Sequence, residues 1–386
     1  ELLLNWYLGA YCTQKLDHLQ PPLADILRIG AYQILFLDKV PDHAAVSESV
    51  ELCRTNGRSA ASGLVNAVLR KVAQHKTDLP ALPQDTLSRL SIAYSHPKWL
   101  VERLLALLGE EEAEQFLRID NEAAPMTVQV NPLKTDGEAL ARELAGDGVR
   151  VTPHTMVPGC FELSGTGDLT TLAAFYQGRF TVQDAAAKLV SCAAGFAKGQ
   201  KVLDVCAAPG GKSFAAAFAM ENEGQILSCD LHENKLKRIR EGAQRLGITC
   251  IETACADGRA FRAEWAGAFD TVLCDVPCSG LGIIRKKPDI RYKDEGELSS
   301  LPEIQRAILE NSARYVKAGG VLVYSTCTIL PEENEQVTDA FLSAHPDFTY
   351  EAFTLPSGTA APGRLTLWPQ RSGTDGFYLS RMRRKA

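Results

Sequence analysis

Apolar and polar positions follow three successive rhythms along the chain. Over residues 1–76 the apolar ones recur at three- and four-residue spacing: Leu23, Leu27, Ala31 and Ile34, then Val46, Val50 and Cys53, then Leu64, Val68 and Val72. That is the period of a helix face, so an all-α bundle is predicted, with Pro41 and Asn56-Gly57 as its breaks. A Pro-containing link, Leu79-Pro80-Ala81-Leu82-Pro83, opens a mixed segment over 77–178. Its pattern predicts helices at 99–108 and 138–145 and strands at 126–130, 149–152 and 160–163, the content of a small α+β domain. From residue 179 onward strand and helix alternate. Short apolar strands are expected at 201–205, 225–230, 249–253, 269–275 and 320–325, each but the fourth followed soon by a helix. After the fourth comes a long loop before a helix near Glu303. Strands apolar on both faces and separated by helices predict a doubly wound parallel sheet, a Rossmann-like α/β domain over 179–386.

A chain of 386 residues exceeds one comfortable core, in keeping with a multidomain protein. Its 45% apolar and 23% charged residues exclude a disordered polyelectrolyte. The formal charge of −6 argues against a generic polyanion binder. That charge is unevenly placed, however, with net +1 over 1–76, −8 over 77–178 and +1 over 179–386. The acidity sits in the middle, which leaves the α/β segment free to carry basic patches. No apolar run approaches the roughly 18 residues that span a bilayer, and no charged-then-apolar leader opens the chain. A cytoplasmic protein without a membrane partner is expected. Because Glu1 rather than Met comes first, an N-terminal piece is expected to be missing. Eleven cysteines without a C-x-x-C, and seven histidines without ligand spacing, fit neither a disulfide framework nor a metal site. Most of the cysteines are expected to be small buried apolar residues in a reducing cytosol.

The first α/β strand runs into Asp204-Val-Cys206-Ala207-Ala208-Pro209-Gly210-Gly211-Lys212-Ser213. The paired glycines let the backbone turn tightly and approach a ligand. A Walker A loop would need Gly where Cys206 stands, and a dinucleotide G-x-G-x-x-G is absent. What fits is a strand-end carboxylate followed by a Gly turn, suited to a cationic, non-phosphate ligand. The next strands bring Asp230, where a ribose diol is gripped, Asp257, placed to meet an adenine edge, and Asp275. Any one of these is more often a helix N-cap. Four in register mark the ligand-binding edge of an open sheet. The pattern resembles class I S-adenosylmethionine-dependent methyltransferases. That resemblance implies a cofactor site of Cys206, Ala207, Ala208, Pro209, Gly210, Gly211, Lys212, Asp230, Asp257 and Asp275.

Two cysteines follow the last two strands, in Asp275-Val-Pro-Cys278-Ser-Gly280 and Ser325-Thr326-Cys327-Thr328. The ends of adjacent strands are neighbours, so both thiols can face one pocket. Asp-x-Pro-Cys together with Thr-Cys resembles the double-cysteine signature of RNA cytosine-C5 methyltransferases of the Fmu/Sun/RsmB and Nop2/NSUN group. Amino-group methyltransferases carry Asp/Asn-Pro-Pro-Phe/Tyr there instead. The resemblance covers essentially the whole chain. Residues 1–76, with Val40-Pro-Asp-His-Ala-Ala-Val-Ser-Glu-Ser-Val50, are similar to the NusB-like RNA-binding helical domain of the bacterial RsmB branch. Val182-Gln-Asp184, Pro288-Asp-Ile290, Pro331-Glu-Glu-Asn334 and Asp375-Gly-Phe377 also match, while Thr328 stands where the family often has Ser.

The resemblance implies that Cys327 adds to C6 of cytosine, that Cys278 assists removal of the C5 proton, and that Asp275 holds the N3/N4 edge of the base. Spacing alone leaves the inverse cysteine assignment open. Lys212 is either a cationic neighbour of the thiolate or a solvated lysine at a helix start. The loop 285–294 carries five positive and two negative residues. It offers Arg285, Lys286, Lys287 and Arg291 to RNA phosphates, with Tyr292 available to stack. Residues 381–385 read as a basic tail. The expected partner is 16S rRNA and the expected state a monomer. The alternatives are the same chemistry on tRNA or 23S rRNA, or a non-catalytic NusB-like RNA-binding protein.

Overall fold

The computed structural model describes residues 1–386 and divides into two compact units, Glu1–Asn121 and Glu122–Ala386. The first is helical: α1 (Leu2–Tyr11), α2 (Pro21–Phe36), α3 (Asp42–Thr55), α4 (Ser62–Gln74), α5 (Thr86–Tyr94), α6 (Lys98–Leu108) and α7 (Glu110–Ile119). Helix α2 opens on two prolines, whose missing N–H groups are ones a first helical turn leaves unused anyway. The predicted stripes converge on one core, in which Leu23, Leu27, Ala31, Ile34, Val46, Cys53, Val68 and Val72 are joined by Val65 and Leu69. Val50 and Leu64 lie only at its edge. Gly30 marks a close approach of α2 to α4, since a Cβ there would stand 2.5 Å from Leu69 Cδ1. The mixed segment expected over 77–178 is divided, because α5–α7 belong to this first unit. Helices α5 and α7, which the pattern does not predict, bury Leu90 and the trio Ala113, Phe116 and Leu117 respectively.

The second unit opens with β1 (Met126–Val130), α8 (Gly137–Gly146), β2 (Arg150–Pro153), β3 (Cys160–Ser164), α9 (Ala173–Tyr176) and β4 (Phe180–Val182). The strands form an antiparallel sheet in the order β2-β3-β1-β4. Strand β4 pairs with β1 through Val128↔Val182, so this sheet continues past the boundary expected at 178. Asp136 caps α8 by accepting from Ala139 N at 2.8 Å.

The large sheet follows. Its elements are α10 (Ala185–Ala194), β5 (Lys201–Asp204), α11 (Gly211–Ala219), β6 (Gln225–Asp230), α12 (Glu233–Leu246), β7 (Ile251–Cys255), β8 (Phe269–Asp275), α13 (Glu295–Leu298), α14 (Leu301–Ala313), β9 (Val316–Thr326) and α15 (Glu335–Ala344). Then come β10 (Phe348–Tyr350), the short pair β11 (Phe353–Thr354) and β12 (Ala360–Ala361), β13 (Arg364–Leu367), α16 (Pro369–Ser372) and β14 (Phe377–Arg384). The order is β10-β14-β9-β8-β5-β6-β7, with β13 also paired to β14. Alternate residues serve opposite layers. Val272 and Leu322 pack with Ile308 and Leu309 of α14 and Phe341 of α15, while Leu273 and Val323 pack with Leu189 and Val190 of α10.

Three features depart from the sequence expectation. Strand β7 begins two residues late, because Thr249 and Cys250 donate their N–H groups to Asn222 Oδ1. Only a short turn, Ala263–Trp265, follows it in place of a helix. The sheet is also not wholly parallel, since β14 runs antiparallel between β9 and β10. The expected basic tail lies in that strand, where Arg381 and Arg383 both pair with Glu351 at 2.6 Å. What positions a site is the strand order. The chain leaves β5 for β6 and β7 on one side and returns to β8 on the other, so the loops after β5 and β8 diverge and open a cleft at the carboxyl edge.

Candidate active site

Four carboxylates stand in sequence along that edge: Asp275 at the end of β8, Asp204 at the end of β5, Asp230 at the end of β6, and Asp257 just beyond β7. Asp204 is fully buried and accepts from Ser213 Oγ at 2.7 Å. Burial pushes its carboxyl up to about 7, against the Ser213 hydrogen bond, with the charge of Asp275 adding to the rise. Gly210 has φ +110°, and a Cβ there would meet the Phe214 ring at 2.6 Å, so the turn admits only glycine. Helix α11 starts on this turn with no side-chain cap, so its first N–H groups are without a side-chain acceptor. A cavity of about 210 Å³ lies here, lined by Cys206, Ala207, Ala208, Pro209, Gly211 and Lys212 together with Asp204 and Asp275. Gln183, from the segment after β4, also lines it; neither polar atom of its buried amide has a partner.

Asp230 is buried at the next strand end and accepts from His232 N at 3.0 Å. Asp257 is differently placed. Its carboxylate is gripped by Arg259, with Nη2 2.8 Å from Oδ2, and that hydrogen bond holds its carboxyl below the usual range. Neither it nor Asp230 belongs to the lining of the cavity.

On the other side of the cleft the two cysteine loops meet. Cys278 Sγ and Cys327 Sγ are 3.3 Å apart. The residues that follow them are also joined, Ser279 Oγ to Thr328 Oγ1 at 2.6 Å, and Gly282 N donates to Cys327 O at 3.0 Å. The Cys278 loop is pressed onto the segment before β14: Gly376 N bonds Gly282 O at 2.8 Å, and a Cβ on Gly282 would stand 1.9 Å from the Gly376 carbonyl oxygen. Lys212 is no solvated lysine. Its side chain is only 11% exposed, its Nζ donates to Asp275 Oδ2 at 2.6 Å, and it lies over the Phe377 ring at 5.0 Å. Ser325 donates to the other Asp275 oxygen at 2.7 Å.

The two thiols sit in unlike fields. The hydrogen bond from Cys278 lowers the Cys327 thiol below its ordinary value, aided by Lys212 and Lys287, against burial and Asp275. The same hydrogen bond, with burial and the charge of Glu333, pushes Cys278 well up. Lys212 and Lys287 thus favour negative charge on Cys327, and Glu333 disfavours it on Cys278.

The basic loop needs correction. Arg285 has a side chain only 7% exposed and pairs with Asp375 Oδ1 at 2.7 Å. Lys286 is shared between Asp184 and Asp375, and Arg291 is buried. Arg285 and Lys286 neutralise carboxylates that would otherwise be buried alone, and burial takes Arg285 and Arg291 out of reach of a phosphate. Lys287 remains exposed, as does Tyr292.

Comparison with known proteins places the chain in a family. Residues 195–383 match the family model of the 16S rRNA methyltransferase RsmB/F, residues 2–74 that of the NusB family, and residues 96–170 that of the RsmF/B-like ferredoxin-like domain. The chain is 38% identical, over its full length and 88% of the relative's, to the probable ribosomal RNA small subunit methyltransferase B of Bacillus subtilis. The chain belongs to the ribosomal RNA small subunit methyltransferase B family. The Vibrio cholerae member is 37% identical over 92% of this chain and 79% of its own. Among solved structures, PH0851 superposes with a TM-score of 0.83 at 30% identity, covering 98% of this chain and 86% of that one. A methyltransferase homologue from Pyrococcus horikoshii gives 0.68 at 26% identity, covering 78% of this chain and all of the other. The architecture of this RNA methyltransferase family is therefore a NusB-like helical domain, a ferredoxin-like domain and a class I methyltransferase domain.

Class I membership implies S-adenosylmethionine, and the residues fit it. An uncapped helix start and a buried amide with free donor and acceptor line one cavity, and acidic groups stand along the sheet edge. Sequence reasoning assigned no role to Gln183, Ser325, Gln305 or Glu333. The family motifs around Gln183, Ser325 and Glu333 were the available signal; Gln305 enters only through the fold.

Proposed function

We propose that this chain methylates C5 of a cytosine in 16S rRNA, using S-adenosylmethionine and a covalent Cys327 adduct. The observation that carries the reading is the 3.3 Å cysteine pair, differently charged on its two sides and next to the Lys212–Asp275 pair at the cofactor edge. C5 of cytosine is a poor nucleophile until a thiolate adds to C6 and makes it enamine-like. Cys327 forms that C6–S bond. Asp275, accepting from Lys212 and Ser325, faces the amino edge of the base, and Lys212 is the cation that offsets negative charge on the ring. S-adenosylmethionine, when bound by the loop 206–212 and Asp230, supplies an electrophilic methyl group. Cys278 passes its own thiol proton to solvent and, as thiolate, takes the C5 proton, after which the C6–S bond breaks and returns the electron pair to Cys327. The target base must leave its stack for both faces to be reached.

Two measurements test this. Calorimetry should show S-adenosylmethionine binding; its absence would favour the non-catalytic RNA-binding reading. Bisulfite sequencing of rRNA and tRNA from a deletion strain should show one 16S cytosine losing protection. Loss in tRNA or 23S rRNA instead would reassign the substrate.

The basic loop gives a further expected result. Arg285→Ala leaves Asp375 short of a partner in a buried site and should cost about 3 kcal/mol of stability. Lys287→Glu should leave the melting temperature unchanged and weaken RNA binding with a shallower salt dependence. Equal thermal effects of the two would show that Lys287 is structural as well.

A further inference from the structure

The chemistry above leaves the buried Glu333 unused. We propose that Glu333 divides the labour between the two cysteines: with Gln305 it fixes the Cys278 loop and places a buried negative charge on that side of the pair, leaving Cys327 as the one set up to attack. The inference rests on the cysteine pair being the reactive centre proposed above.

The geometry is a clamp on the backbone at both sides of Cys278. Glu333 is 1% exposed, and its Oε2 accepts from Ser279 N at 2.9 Å and from Gln305 Nε2 at 2.8 Å. The same Gln305 Nε2 donates to Pro277 O at 3.0 Å. The carbonyl before Cys278 and the N–H after it are thus held by one side-chain pair. Glu333 Oε1 is buried with no hydrogen-bond partner, so its charge is not shared out to further donors. Its own backbone is anchored, since Tyr324 Oη donates to Glu333 O at 2.6 Å. Next to it, Asn334 bonds Thr326 Oγ1 and Thr328 O, on either side of Cys327. Residues 333 and 334 therefore grip both cysteine loops.

Around the pair the charges are unevenly shared. Asp275 bears on both thiols, Tyr324 and Glu333 stand on the Cys278 side, and Lys212 and Lys287 act on Cys327. A carboxylate is a good choice for this task only if it is held dry, because in water its influence would be screened away. A glutamine in the same place can accept from Ser279 and Gln305 with its one oxygen, so Glu333→Gln removes the charge and keeps the clamp.

The test follows alkylation of Cys278 by iodoacetamide against pH, read by peptide mass spectrometry in a Cys327→Ser background so that the second sulfur plays no part. Glu333→Gln is expected to lower the pH midpoint of Cys278 alkylation by at least one unit. Gln305→Met, which loosens the clamp but keeps the charge, is expected to leave it in place. An unmoved midpoint in Glu333→Gln, or an equal shift in Gln305→Met, overturns the proposal. Should Glu333→Gln not fold, Glu333→Asp withdraws the charge by one methylene; a smaller fall then supports the proposal and no change overturns it. No RNA is needed, so the outcomes separate. A shifted midpoint in a protein whose Cys327 form fails to methylate RNA defeats the functional reading alone, and an unmoved midpoint beside an active wild type defeats the role of Glu333 alone.

Discussion

Cys327→Ala is expected to abolish both methyl transfer and the covalent RNA adduct, lowering turnover by at least ~10³-fold. Cys278→Ala is expected to stop turnover differently, by accumulating an RNA adduct that survives denaturing electrophoresis, because the C5 proton has lost its acceptor. Spacing left either cysteine able to attack. The proposed assignment is supported by surroundings: Cys327 feels Lys212 and Lys287, Cys278 feels Glu333, and Asp275 bears on both. The pH dependence follows in sign. Attack needs the thiolate, so adduct formation should rise with pH through the lowered Cys327 value and level off above it, below the region where a free thiol ionises. Adduct accumulation in Cys327→Ala and its loss in Cys278→Ala would invert the assignment.

The second large effect is expected from Lys212→Met, which keeps the packing over Phe377 and removes the charge. Asp275 would then be left with Ser325 as its only partner, close to the buried Asp204. Breaking such a pair costs about 3 kcal/mol or more, because one charge stays behind uncompensated. In a protein of this size that is a fall of several degrees in melting temperature, on the order of 2–4 °C per kcal/mol. Activity should fall further than stability, by roughly 10²–10³-fold, because the cation that offsets charge on the ring is gone. The diagnostic reading is the pH midpoint of Cys327 alkylation, which should move upward as the thiolate loses one of its two cations. An unchanged midpoint with reduced stability would make Lys212 a purely structural partner of Asp275.

The cofactor loop was legible because it depends on neighbours in the chain. A strand-end carboxylate, Gly210 at positive φ and an uncapped helix start are all set within ten residues. The cysteine pair was half legible. Strand adjacency brings positions 278 and 327 together, yet nothing in their spacing says which sulfur is charged. The basic loop misled. Five positive residues in ten suggest a phosphate contact, but Asp184 and Asp375, distant in sequence, claim Arg285 and Lys286. The C-terminal strands were missed for a related reason. Phe377–Arg384 carries its charges on a strand whose arginines are neutralised by Glu351 and Asp347.

By itself the sequence determined the order of helical, mixed and α/β segments, the carboxylates at the strand ends and the two cysteine loops. These follow from periodicity and from turn chemistry, which act over a few residues. Only the tertiary structure decided which charges are free and which are spent. It buried Lys212 against Asp275, gave Arg285 to Asp375, left Lys287 exposed and set Glu333 beside Cys278. The reason is electrostatic. A charge acts through the dielectric and the partners around it, and both are fixed by residues that meet only when the sheet closes.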